Sequence, residues 1–283
     1  MKLSDKIRTL RKNAGLTQEQ LGDKLNVSRQ AITKWERGDG IPDIYNLVAL
    51  SNLFGLSLDE LMAKEKAVAE KRFLYESHTE HDIDAPCCFD LHLHAASSLV
   101  VRSGDSEKLK VYAGSSDIPE LEKAVKVKVD TDGGRCDVQV RTKLSEARCR
   151  QSLVLEIVLP EKYVRHIEVA AKVGKAQLKN IRCETIEVDA RCGELTLEDI
   201  HATVDVTSSS DMSIRFVTLD GNLSVNQHGA VSRVLLPEGA AVRTRCRGIH
   251  TRLLTALPDL VSPDAAYEVE LNGVNAELTV SRQ

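Results

Sequence analysis

The 283 residues predict a multidomain α plus β chain: an N-terminal bundle of five helices over residues 1–65, a charged helical extension and linker over 66–84, and an all-β, solenoid-like domain over 85–283. Three observations carry that division. Up to about residue 65, apolar residues recur at intervals of three and four, with caps and glycines between them. Beyond Pro86 the period changes to two, and strands rich in Val, Ile, Leu and Thr alternate with Gly, Asp and Asn turns. Within that second part the chain overlays on itself at a spacing of 19 residues.

The helical part is punctuated almost residue by residue. Ser4 is placed to cap a first helix that ends near Gly15, and Thr17 with Gln20 forms a capping box for a second that ends near Asn26. Ser28 caps a third, stopped by Gly38. Pro42 and Asp43 open a fourth that ends at Gly55, and Ser57 with Glu60 makes a capping box for a fifth. Leu10, Leu21, Leu25, Val27, Ile32, Trp35, Leu47, Leu50, Leu53, Leu56 and Leu61 fall on the inward faces, enough for one small core.

Composition narrows the class. Apolar residues at 42% and charged residues at 28% match a soluble globular chain, and no apolar run approaches the ~18 residues of a membrane helix. The first residues lack the apolar stretch of a secretory signal, so a cytoplasmic location and no membrane partner are expected. Seven cysteines spread from Cys87 to Cys246 are odd in number and too sparse for a disulfide framework, and reduced thiols are expected. Residues 1–37 carry nine Lys/Arg against Asp5, Glu19, Asp23 and Glu36, a local +5 in a chain of net charge −4, which leaves −9 for the remainder. That division describes a basic binding module attached to an acidic body.

The stretches Leu16-Thr17-Gln18-Glu19-Gln20-Leu21, Val27-Ser28-Arg29-Gln30-Ala31-Ile32 and Trp35-Glu36-Arg37-Gly38 resemble the phage repressor and Cro (XRE) helix-turn-helix family over about Leu3 to Met62. In a helix-turn-helix the third helix enters the major groove by its N-terminal residues. With Ser28 as cap, Ala31, Ile32 and Trp35 point to the core and Arg29, Gln30, Thr33 and Lys34 lie outside. Arg can grip guanine, Gln can pair with adenine and a Thr methyl can touch that of thymine. Double-stranded DNA is therefore the expected partner, with Ser28 at the head of the reading helix. The resemblance implies two further roles: Gln18 meets a phosphate at the start of the second helix, where backbone amides favour anions, and Arg11 with Glu36 forms a structural ion pair.

In the β part, Ile167-Glu168-Val169 recurs as Ile186-Glu187-Val188, then at 18 residues as Val204-Asp205-Val206, then as Leu223-Ser224-Val225. Leu178, Leu197, Phe216 and Leu235 keep step, as do Gly174 and Gly193, with Met212 breaking the glycine series. Such units cannot bury their apolar faces alone, so they stack. The repeats, clearest over 163–237, and the Val158-Leu159-Pro160 step before them resemble an adhesin-like β-solenoid family of undefined function.

Other chemistry is sparse. His92 and His94 share a strand face, with Cys87, Cys88, His78 and His81 upstream, but paired Cys-x-x-Cys spacing is missing, and no metal or other cofactor is assigned. Cys183 and Cys192, with Cys136, Cys149 and Cys246, read as small hydrophobes rather than as a redox sensor, which needs an exposed low-pKa thiolate. No nucleotide-binding or hydrolase motif occurs, no catalytic residue is singled out, and an enzyme is not expected. The expectation is a sequence-specific transcriptional regulator, a repressor, that works as a homodimer and uses its β domain for oligomerisation or for sensing an unknown ligand or protein. The alternative is a scaffold or interaction protein in which the β-solenoid is the functional surface and the helix-turn-helix binds protein; the outer face of the third helix discriminates the two, since a protein-binding derivative would lose the Arg/Gln/Lys set while keeping the core.

Overall fold

In a computed structural model the described residues are 3–14, 16–38, 40–54, 56 and 73–283, and the chain divides into two units, residues 1–72 and 73–283. In the first unit, α1 spans Leu3–Asn13, α2 Gln18–Leu25, α3 Arg29–Arg37 and α4 Ile44–Phe54. The expected fifth helix, with Leu61, and the helical extension lie outside the described residues. Asp43 caps α4 by accepting from the Asn46 amide at 2.9 Å. Ser4 is not a cap: α1 already includes Leu3, which puts Ser4 in its first turn. The core is Ile7, Leu21, Leu25, Ile32, Trp35, Leu47 and Leu50, with Leu10, Val27, Ala31 and Leu53 at its margin. Ile7, fully buried, is the member that the sequence pattern alone did not single out.

The second unit runs β1 Tyr75–Asp82, β2 Cys87–Gly104, β3 Lys108–Ser115, α5 Leu121–Ala124, β4 Val125–Asp132, β5 Arg135–Thr142, α6 Glu146–Ser152, β6 Val154–Pro160, β7 Val164–Arg191 and β8 Glu194–Ser208. It continues with β9 Ser213–Phe216, β10 Leu223–His228, β11 Val231–Leu236, β12 Arg243–Ile249, β13 Arg252–Thr255, β14 Glu268–Val274 and β15 Glu277–Arg282. Residues 75–82, expected within a linker, instead form β1 and pair antiparallel with β3. Tyr75, Ser77, Thr79 and His81 are half-buried while Glu76, His78, Glu80 and Asp82 are exposed. The strand alternation is real, but its polar composition reads as solvated chain.

The repeats pair in parallel and in register. Phe89 and Leu91 face Ile167 and Val169; Ile186 and Val188 face Val204 and Val206, which face Leu223 and Val225, which in turn face Val269 and Leu271. None of these side chains is more than 2% exposed. A second ladder carries Val101, Leu178, Leu197 and Phe216. The drop in spacing from 19 to 18 has a local cause: β7 passes one extra residue between Arg182 and Thr185 where β8 goes from His201 to Thr203, a β-bulge. Asn180 (φ 54°) and Asp199 (φ 52°) turn equivalent corners in the left-handed conformation that their short polar side chains tolerate.

One repeat assignment is corrected. Leu235 pairs with Arg215 rather than with Phe216, and it is Leu236 that is fully buried. The corner between β10 and β11, with Gly229 at φ +63°, is one residue longer than the preceding one, so Met212 and Ser232 meet at an offset of 20. A one-residue shift sends every side chain of a strand to its other face. The stacking order also departs from chain order at one end: β14 lies between β10 and β12, and β15 between β11 and β13. Among the described residues no helix is long and apolar enough to cross a membrane.

The register correction is testable. Leu236→Ala should cost about 2–5 kcal/mol in urea unfolding, as expected for a buried leucine, and Leu235→Ala about 1 kcal/mol or less. The opposite ranking would restore Leu235 to the core.

Candidate nucleic-acid interface

The site is built by two caps and one tight turn. The Thr17 amide donates to Gln20 Oε1 at 2.8 Å and the Gln20 amide to Thr17 Oγ1 at 3.1 Å, which starts α2. Asn26 ends it at φ 53°. The chain then folds back so closely that a Cβ on Gly22 would lie 2.7 Å from the Val27 carbonyl oxygen, so only glycine fits there. The Ala31 amide donates to Ser28 Oγ at 3.2 Å, which starts α3, and Gly38 ends it at φ 79°.

This α3 buries Ile32, Trp35 and Glu36 and leaves Arg29, Gln30 and Lys34 exposed, with Ala31 and Thr33 half-buried. A buried carboxylate so close to an apolar core needs partners, and Glu36 has them. Arg11 donates from Nε to Oε1 at 2.6 Å and from Nη2 to Oε2 at 3.1 Å, and its Nη1 holds the Leu16 carbonyl at 2.7 Å. Gln18 Nε2 donates to Glu36 Oε2 at 2.8 Å, and Thr33 Oγ1 lies within donating distance of Gln18 Oε1 (3.2 Å) and of the Arg29 carbonyl (3.0 Å). The Glu36 side chain is only 1% exposed. Burial pushes its carboxyl up, but the bonds from Arg11 and Gln18 and the charges of Arg11 and Arg8 outweigh that and hold it below the usual carboxylate range.

The structure therefore brings together Arg11, Gln18, Thr33 and Glu36, and places Arg29, Gln30 and Lys34 on the outer side of the same helix. The link through Gln18 was not readable from spacing. Its residue type signalled a polar partner, but which one depends on the crossing of α2 and α3. Ile41, Ile44, Tyr45 and Val48 also stand out as exposed apolar residues at and before the start of α4.

Residues 7–61 match the family model described as "Helix-turn-helix". The N-terminal domain is a helix-turn-helix domain of the XRE type. The transcriptional activator BcrR of Enterococcus faecalis is 43% identical over 68 residues, which is 24% of this chain and 33% of that protein. The P22 c2 repressor, solved in complex with a synthetic operator, is 37% identical over 22% of this chain and 94% of its own, with a TM-score of 0.21. The structure of a candidate cell adhesion protein from Clostridium sporogenes ATCC 15579 covers 74% of this chain and 99% of its own at 14% identity and a TM-score of 0.39. The chain spans between a third and about half of the length of the first curated relatives it matches. These curated relatives are named as HTH-type transcriptional regulators.

The other candidates are dispersed. His78 and His81 lie on opposite faces of β1, and His92 and His94 on β2. Among the described residues no three His, Cys, Asp or Glu side chains are grouped to hold a metal. All seven cysteines are free. Burial pushes the Cys136 thiol up to about 12 and those of Cys183 and Cys192 up to about 11, and it raises Cys87 and Cys149 as well. Thiols raised in this way are neutral, and neutral thiols are poor nucleophiles.

Glu36→Ala should destabilise the helix-turn-helix domain by about 3–5 kcal/mol, because it strands Arg11 against the core. The carboxyl is lower in the folded domain than the ~4.3 of an unfolded glutamate. Its contribution is therefore complete above that value and is lost as pH falls through the lower folded one. The fluorescence of Trp35, the sole tryptophan, should report acid unfolding that Glu36→Gln flattens; an unchanged acid limb in the variant would show that the pair carries no stability.

Proposed function

We propose that this chain is a sequence-specific, DNA-binding transcriptional repressor in which α3 reads the major groove. The observation that carries the reading is the division of α3: one side is locked to α1 and α2 through Glu36, and the other presents Arg29, Gln30 and Lys34 to solvent. A recognition helix needs both a fixed orientation and free base-seeking side chains. Ser28 Oγ is committed to the α3 cap, so Ser28 positions the helix and its backbone faces a phosphate. Gln18 sits at the α2 N-terminus, where backbone amides attract a phosphate, while its own side chain braces Glu36. Arg29 and Gln30 take base edges, Lys34 a base edge or a phosphate, and Thr33 presents its methyl group.

The β domain is read as a β-solenoid, supported by the in-register parallel pairing of successive repeats, and as the element that joins two copies or receives a signal in the cytoplasm. No cofactor is called for. Known regulators of this type read two half-sites about 34 Å apart, which calls for a homodimer.

Selection from random duplexes on the full-length protein should yield a site with two related halves. On that site Arg29→Ala and Gln30→Ala should each cost about 1–3 kcal/mol and relax base preference, while Lys34→Ala should lower affinity for all sequences together with the salt dependence if it holds a phosphate. Equal losses on selected and random DNA for Arg29→Ala and Gln30→Ala would remove the base-reading assignment. Absence of any DNA binding at low salt would remove the function.

A further inference from the structure

Where β2 passes β7, a one-residue β-bulge borders a cleft of about 380 Å³. His92 pairs with Ala170 and Ala95 with Lys172, so Leu93 and His94 together oppose Ala171. A bulge re-aims the side chain it carries, and here it makes His94 part of the lining. Ala170 and Ala171 line the same cleft, with Glu146 of α6 and, one coil further on, Asp189 and Arg191. The hollow follows from the repeat. His166 bonds to Thr185 across an offset of 19 residues, and the same offset carries Ala170 to Asp189. The column then continues through Thr207, Asn226 and Asn272. A methyl group where every later coil carries a longer polar side chain leaves its space unfilled.

Two of the charged groups around this cleft are spent on each other. Lys172 Nζ donates to Glu146 Oε2 at 3.1 Å, and Arg150 Nη2 lies 2.9 Å from Glu146 Oε1. Asp189 and Arg191 are not spent. Both side chains are exposed, and neither has a hydrogen bond or an ion pair among the described residues, not even with the other. They stand two residues apart on one strand, hence on one face and about 7 Å apart. A third group is open as well: His94 Nδ1 is buried and has no hydrogen-bond partner among the described residues. Buried polar atoms are rarely left so.

This set selects a ligand that carries both charges. A simple anion would be repelled by Asp189 and a simple cation by Arg191, while a neutral polyol would gain nothing from either charge. A free α-amino acid answers both at once. Its ammonium donates to Asp189, its carboxylate takes the planar fork of Arg191, and its side chain lies over Ala170 and Ala171 with a polar group at His94 Nδ1. The same two residues also border a second hollow, lined by Thr207, Asn226 and Asn272 among others. There Asn272 Nδ2 already donates to Asn226 Oδ1 at 3.3 Å and to Ser224 Oγ at 3.4 Å, so the open hydrogen-bonding capacity lies on the His94 side. We infer that this cleft binds a free α-amino acid with a polar side chain, which makes the β domain the receiver of a small-molecule signal and in that respect rests on the reading of the β domain given above.

The test is thermal unfolding and calorimetric titration of the full-length protein without DNA, with each standard L-α-amino acid added in turn. At least one with a polar side chain should raise the melting temperature, as a ligand of the native state does. Asp189→Asn and Arg191→Gln, both at exposed positions, should leave the melting temperature of the free protein unchanged and weaken that amino acid about tenfold or more, the loss of one charge-assisted bond. Ala170→Leu should fill the hollow and abolish binding. On the wild-type protein, the N-acetyl and carboxamide derivatives of the same amino acid, each lacking one charge, should be weakened to a similar degree. Absence of any shift across the series, full affinity in both charge variants, or derivatives that bind as tightly as the parent would each overturn the site. An amino acid that binds as described but leaves the affinity for selected duplex DNA unchanged would keep the site and overturn the reading of the β domain as a receiver. Failure to bind DNA at all would overturn the assignment of α3 and leave the site in place.

Discussion

The functional face of the helix-turn-helix domain depends on one buried carboxylate. Glu36 sits on α3 next to Trp35, against an apolar core, and is held by Arg11 of α1 and Gln18 of α2. An ion pair in such a place is weak evidence for stability, because the cost of desolvation offsets much of the attraction, but removing one partner alone is severe. What it supplies here is geometry. The bidentate fork of Arg11 admits one orientation of the carboxylate, the remaining oxygen capacity goes to Gln18, and Gln18 in turn accepts from Thr33, one turn earlier on α3. Rotation of α3 about its axis would break all of these bonds together. Arg29, Gln30 and Lys34 have no comparable restraint, and the precision of their placement comes from the other side of their own helix.

The β domain solves a different problem with a different constraint, the register. In-register stacking puts like on like: Ile186 on Val204 and Val206 on Val225 inside, but also Glu187 on Asp205 outside. The inner columns gain by excluding water, while the outer ones repel where two carboxylates fall opposite. The sequence relieves that repulsion by interruption. Ser224 separates Asp205 from Glu270. Repeats of 18, 19 and 20 residues remain compatible with a single register because the surplus residue is confined to a bulge or a corner, where no column is interrupted.

This explains which features were legible in the sequence. Caps and turns are local, so Thr17 with Gln20, Ser28, Asn26 and Gly38 could be read directly, and each occupies the expected place. The repeat columns from Ile167 to Val225 were legible because burial forces a period of two. Leu235 was misread because two adjacent leucines fit that period equally, and a corner five residues away decides between them. Strand β1 was hidden because it buries one side only partly and carries charge on the other. Gln18 could be placed at a helix start, but not joined to Glu36 and Thr33, since that contact spans 18 and 15 residues and exists only once α2 and α3 have crossed.

The order of stacking at the end of the β domain was the least legible feature, and it has the largest consequence. Repeats read along the chain imply that each coil lies on the one before it. Instead β14 and β15 intervene between β10–β11 and β12–β13. Val269, Leu271, Leu278 and Val280 are fully buried, as strands paired on both sides are, whereas β12 carries Thr244, Cys246 and Gly248 at the positions that face the column. Composition records this division: the later segment is apolar at its inward positions because it is covered on both sides, and the earlier one is polar, small and arginine-rich because it is an edge. Sequence order alone gives no reason for a weak repeat to precede a strong one. The reversed stacking supplies it, and it makes β12 an edge only when the strands that follow it have taken their place beneath it.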